Sequence, residues 1–142
     1  MAISSTAPIA RFGRWLDTLS LWDLLVIGAI SPVLGLASVI GPAWLAAPVK
    51  PHARDLMGYS IEQFDFRSII CLFSSGAVVA LLSRRLGVWA ASTAMAGYVF
   101  WVFSDMVANA PGHNLLPFEL AFYCGLTALA VAGAGMVALV RG

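Results

Sequence analysis

The sequence predicts an all-α integral membrane protein, an antiparallel four-helix bundle preceded by a short interfacial helix. Three observations carry this. The 142-residue chain is 61% hydrophobic but only 11% charged, whereas ordinary soluble domains carry about 25% charged residues. Its mean hydropathy of +0.90 leaves too little polar surface to coat a globule this small. The charges are also grouped: uncharged runs at 24–49, 68–83, 86–104 and 120–140 are separated by charged punctuation. A membrane-crossing helix needs about 20 mostly apolar residues. The expectation is therefore one transmembrane domain over 1–142, with spans at about 22–46, 66–83, 86–104 and 117–140.

The same composition excludes other classes. Eight Lys and Arg against seven Asp and Glu give a net charge of +1, with no basic block to neutralise phosphates, so no nucleic-acid partner is expected. Two distant cysteines, Cys71 and Cys124, make neither a disulfide framework nor a zinc site. A soluble enzyme and a disordered tail are excluded by the apolar excess.

At the N-terminus, Ile9, Phe12, Leu16 and Leu19 recur at helical spacing, with Arg11, Arg14, Asp17 and Thr18 elsewhere around the turn. That pattern predicts a helix over about 7–20 lying in the headgroup layer. The apolar run that follows continues through Pro32 to Ala47, beyond the length of a signal-peptide core, and so reads as a span rather than a cleaved leader. Pro32 predicts a kink in this first span, with Gly28 and Ala29 one turn earlier. Pro48 and Pro51 end it.

The loop over 47–66 is the longest connection and holds much of the charge. Glu62 and Asp65 precede the second span, where carboxylates suit a helix N-terminus. Phe64 and Phe66 extend that span's apolar character past Arg67. The turn Ser83-Arg84-Arg85-Leu86-Gly87 makes the second and third spans antiparallel neighbours. With four spans, Arg11, Arg14, Arg84, Arg85 and Arg141 share one side, and Lys50, Arg54 and Arg67 the other. The positive-inside rule then puts both termini in the cytoplasm and the protein in the inner (cytoplasmic) membrane. Trp22 and Trp89 fall near the cytoplasmic boundary and Trp44 near the opposite one.

Small residues predict which faces touch, because helices in lipid associate by close approach. The first span carries Gly28, Ser31, Gly35 and Ser38, and the third Gly87, Ala90, Ala91, Ala94 and Gly97. The fourth carries Ala128, Ala132 and Gly135. These stripes read as bundle packing, and a leftover stripe would meet another subunit.

No catalytic set and no metal site are expected. Both histidines, His52 and His113, fall outside the spans, which argues against haem. The only lysine, Lys50, lies in a loop, which argues against a retinal Schiff base. One polar constellation remains, at the outer end: Arg67, Asp105, His113 and Glu119. Arg67 and Glu119 are expected at comparable depth on parallel helices. As a pair they would either lock the bundle or, with His113, orient a quinone; quinone is thus the cofactor left open. Cys71 and Cys124 are expected to be free thiols used in packing.

The stretch FDFRSIICLFSSGAVVALLSRRLG (Phe64 to Gly87), an arginine-opened helix ending in a basic turn and glycine, resembles the DoxX-like group of small four-span membrane proteins. NLLPFELAFYCGLTALAVAGAG, with Glu119 early and a Gly-Ala-Gly close, carries the rest of the resemblance. Together they cover under half of the chain. The glycine–lysine signature that commonly follows the first helix in that group is represented only by Gly41 and Lys50. The resemblance implies a four-span fold and, for some members, a role in quinone-linked oxidoreductases.

Three functions are thus expected, in descending order. The first is a non-catalytic accessory or structural subunit of a larger bacterial-type membrane complex, with the lipid bilayer and other membrane subunits as partners. The second is a DoxX-like quinone-interacting component of a membrane oxidoreductase. The third is a small transporter.

Overall fold

The computed structural model describes residues 18–46, 64–108 and 116–142, with the side chains of Asp105, Met106 and Leu116 excepted. Every regular element among them is helical. The interfacial helix expected over 7–20, most of the loop 47–66, and His113 lie outside the described residues.

Helix α1 runs Leu21–Ala46. Ser20 caps it: the Ser20 hydroxyl accepts from the Asp23 N–H, and the Asp23 carboxylate accepts from the Ser20 N–H at 3.1 Å. This reciprocal box satisfies N–H groups that the first helical turn otherwise leaves open. Helix α2, Phe66–Leu82, is capped by Asp65, whose carboxylate accepts from the N–H groups of Arg67 and Ser68 at 2.9 and 3.1 Å. Helix α3 is short, Gly87–Ala91; α4 runs Ala96–Ala108 and α5 Leu116–Arg141.

The segment expected as one span over 86–104 is not one continuous helix: Ser92–Met95 form turns that separate α3 from α4. The side chains supply the reason. The Ser92 hydroxyl donates to the Trp89 carbonyl at 2.6 Å and that of Thr93 to the Ala90 carbonyl at 2.8 Å. Backbone bonds tighten to a three-residue spacing at Thr93→Ala90, Ala94→Ala91 and Ala96→Thr93. Serine and threonine compete with the helix for its own carbonyls.

Pro32 has a local consequence too. The preceding turn, Val26–Ile30, is a π-helix, in which the Ser31 N–H reaches back to Val26. The Ile27 carbonyl thereby loses its α-helical donor, and its π-helical donor would be Pro32, which has no N–H. The Thr93 hydroxyl supplies the replacement from the broken segment, at 2.7 Å.

These bonds also define how the helices run. Trp22 meets the end of α2 at Leu82, and Ser38 meets Cys71, so α1 and α2 are antiparallel. Thr93 lies against Ile27 and Gly97 against Leu36, so the α3–α4 segment runs parallel to α1. Phe64 meets Phe122 at one end and Arg141 meets Ala80 at the other, so α2 and α5 are parallel.

Helix α2 sits centrally, packed against α5 on one side and α1 on the other. A Cβ at Gly76 would overlap the Ala130 carbonyl, and one at Gly133 the Phe73 carbonyl. Glycine at both places lets the two backbones touch. The core between the helices includes Val39, Leu72, Val79, Met95, Leu126 and Ala130. Tyr98 and Tyr123 are buried there, with ring centroids 5.6 Å apart.

Two helices, Leu21–Ala46 and Pro117–Arg141, are long and apolar enough to cross a membrane; α2 is a shorter apolar helix of 17 residues. Only 28% of the apolar window of either long helix is buried inside the molecule. The central helix of a soluble protein would bury most of its surface. Here most of the apolar surface faces outward.

Candidate functional site

The end of the molecule where α2 and α5 begin, expected to face outward, holds the residues that the sequence singles out. Arg67 lies exposed in the first turn of α2, its backbone N–H committed to Asp65. Glu119 is half-buried in the first turn of α5. The two helices are parallel, as the pair would require. Asp105 falls in α4 with its side chain outside the described ones, as is all of His113.

The small residues named for packing are placed unequally. Ser31, Gly35, Ser38, Gly87, Ala90 and Ala94 are buried, and Gly97 is half-buried beneath Leu36. A Cβ at Gly35 would overlap the Ala94 carbonyl. Gly28 faces open space. The Ser38 hydroxyl donates to its own helix at Leu34, 2.7 Å, and lies 3.2 Å from the Cys71 carbonyl. The Ser31 hydroxyl is buried with no hydrogen-bond partner among the described residues.

On α5 the stripe is displaced. Ala130, Gly133 and Ala134 are buried, whereas Ala128 and Ala132 are exposed. Ala121 and Gly125 extend that exposed row, and nothing lies within 4 Å of a Cβ placed at Gly125 or Gly135. At 100° per residue, Ala121, Gly125, Ala128, Ala132 and Gly135 fall on one face, opposite the one packed on α2. Cys124 borders this outer row; it and Cys71 are both free and exposed, not the packing residues expected.

The opposite end, inner by that expectation and treated by the sequence reading only as a source of topogenic charge, is the most extensively bonded polar region among the described residues. Helix α2 ends there, and its last carbonyls have no donors within the helix. Other helices supply them: the Trp22 indole N–H donates to Leu82 at 3.0 Å, and the Arg141 guanidinium to Ala80 at 2.9 Å. Arg141 also places a cation at a helix C-terminus, where the dipole favours it. Asp23 is the second hub. Its carboxylate accepts from the buried Ser83 hydroxyl at 3.1 Å, and Ser83 in turn accepts from the Leu86 N–H at 3.3 Å. Arg85 reaches Thr18 at 3.3 and 3.4 Å. The Ser20-x-x-Asp23 spacing before an apolar run is the sequence signal that would have found this cap. No signal in the sequence places Arg141 over Ala80.

Two hollows flank these features. One of about 340 Å³ lies at the inner end between the turn 83–87 and the end of α5, lined by Arg84, Arg85, Trp89 and Arg141 among others. The other, about 510 Å³, lies beside the helix break, between Ser92, Thr93 and Phe100 on one side and Tyr123, Cys124 and Thr127 on the other. No group of His, Cys, Asp and Glu that would hold a metal occurs among the described residues.

Compared with known proteins, the chain matches no family model, no curated protein and no solved structure.

Proposed function

We propose that this chain is a four-crossing inner-membrane protein, both termini cytoplasmic, that serves as a non-catalytic accessory subunit of a larger membrane complex. The observation that carries the subunit reading is the outer row of α5: Ala121, Gly125, Ala128, Ala132 and Gly135, a small-residue face on which nothing among the described residues lies within 4 Å of a Cβ placed at Gly125 or Gly135. Such a face lets a neighbouring helix approach closely, and lipid gains nothing specific from it. The alternating helix directions and the outward apolar surface support the crossings. The orientation draws on Arg84, Arg85 and Arg141 lying at one end. The DoxX-like resemblance rests on the sequence motifs alone.

Cys124, at the edge of this row, is a built-in probe. With Cys71→Ala leaving it as the sole thiol, thiol cross-linking in native membranes is expected to join Cys124 to a second, different chain. Gly125→Leu is expected to abolish both the adduct and co-purification, with the thermal unfolding of the isolated chain unchanged. A lone monomer on a native gel, or an adduct of only two copies of this chain, overturns the subunit reading.

A second reading, a small transporter, draws on the break at Ser92–Met95. Non-helical backbone at membrane depth is tolerated where it is buried or lines a cavity, and this one borders the 510 Å³ hollow. Solute flux in reconstituted vesicles that Ser92→Leu blocks would support it; no flux in the wild type would end it.

A further inference from the structure

The inner-end hollow combines charge and shape in a way the subunit reading does not use. Arg84, Arg85 and Arg141 line it together with Trp89. The nearest carboxylate among the bonded groups at this end is Asp23, which Ser20 and Ser83 already engage. Arg85 is partly spent on Thr18 and Arg141 has one nitrogen on Ala80. The Arg84 side chain is exposed and has no hydrogen bond or ion pair among the described residues. Among the described side chains at this end, three guanidiniums surround the hollow with one carboxylate, Asp23, nearby, which leaves a net positive charge.

A second, almost wholly apolar groove of about 310 Å³ adjoins it, lined by Leu81, Met136, Val137, Val140 and Arg141. Val137 and Arg141 belong to both. A polar, cationic hollow thus opens onto an apolar channel along the outside of α2 and α5.

We propose that these two hollows form one binding site for an anionic phospholipid. The phosphate lies among Arg84, Arg85 and Arg141, and an acyl chain follows the groove past Leu81 and Val140. Charge complementarity selects the headgroup, since guanidinium forks match phosphate oxygens, and basic hollows between helices at a cytoplasmic boundary suit acidic lipids. The apolar groove selects lipid over free phosphate. This site rests on the membrane reading above, with the inner end at the headgroup layer.

The test is native mass spectrometry on delipidated protein in mild detergent, titrated with phosphatidylglycerol, with phosphatidylcholine of the same chains, and with inorganic phosphate. The wild type is expected to retain phosphatidylglycerol preferentially. Arg84→Gln, which breaks no bond in the structure, should weaken that binding about fivefold, the effect of one interfacial cation, while Arg84→Lys retains most of it. Arg141→Gln should weaken it similarly, with circular dichroism melting as the check on its bond to Ala80. Equal binding of the two lipids, unchanged binding by Arg84→Gln, or phosphate binding as strongly as lipid each overturns the site. An alkaline wash of vesicles separates the two claims. Retention of the wild type without lipid preference overturns the site alone; release overturns the membrane reading and the site with it.

Discussion

On one side of α5, Ala130, Gly133 and Ala134 are buried against α2; on the other, Gly125, Ala128 and Ala132 face outward with room to spare. The two faces use the same residue types. What separates them is the neighbour: on the inner face the backbone of α2 fills the space a side chain would occupy. A small residue on an apolar helix thus marks a potential contact, and only the partner's presence makes it a real one.

The same substitution should therefore have opposite signs on the two faces. Gly133→Ala drives a methyl into the Phe73 carbonyl, and Gly76→Ala into that of Ala130. Each should destabilise the chain by about 3 kcal/mol, the upper range for overpacking a closed interface, measured by unfolding in a denaturing-detergent titration. A loss under about 0.5 kcal/mol would mean the α2–α5 contact is looser than described.

A seam held by a hydrogen bond provides the intermediate case. Thr93→Val removes the donor from the Ile27 carbonyl, which the π turn and Pro32 leave without a helical one. The expected cost is about 1 kcal/mol in the same titration, typical of an interhelical hydrogen bond in a membrane protein. Thr93→Ser, which keeps the hydroxyl, should recover most of it.

The smallest effect is expected on the outer face. Gly125→Ala meets nothing within 4 Å and should stabilise the isolated chain by at most about 1 kcal/mol, through helix propensity alone. Destabilisation there would mean that the outer face is already closed by the chain itself.

Much of this protein is legible in its sequence, for identifiable reasons. Charge depletion marks the apolar helices, and polar and acidic caps mark their starts, because the first N–H groups of a helix need local acceptors. The bounds of α1 and α5 and the Asp65 cap fall where local chemistry puts them. The break at Ser92–Met95 was less legible: two hydroxyl residues in an apolar run are tolerated in many helices, and their rotamers decide whether they bond the carbonyls behind them. The outer polar constellation was legible only as composition. Arg67 and Glu119 fall in the first turns of two parallel helices, which the spacing of charges and apolar runs places but does not orient.

By itself, then, the sequence determined the all-helical content of the protein and the positions of its main helix ends. The tertiary structure decided which small residues of α5 are used and which are left over. It also decided that Thr93 serves Ile27, and that Arg84, Arg85 and Arg141 gather around one hollow. The physical reason is the same throughout. In a chain whose helices are apolar all round, hydrophobicity does not tell the inward face from the outward one. The rotation of each helix is set instead by backbone contact at glycine and by a few hydrogen bonds, and those exist only once the neighbour is in place.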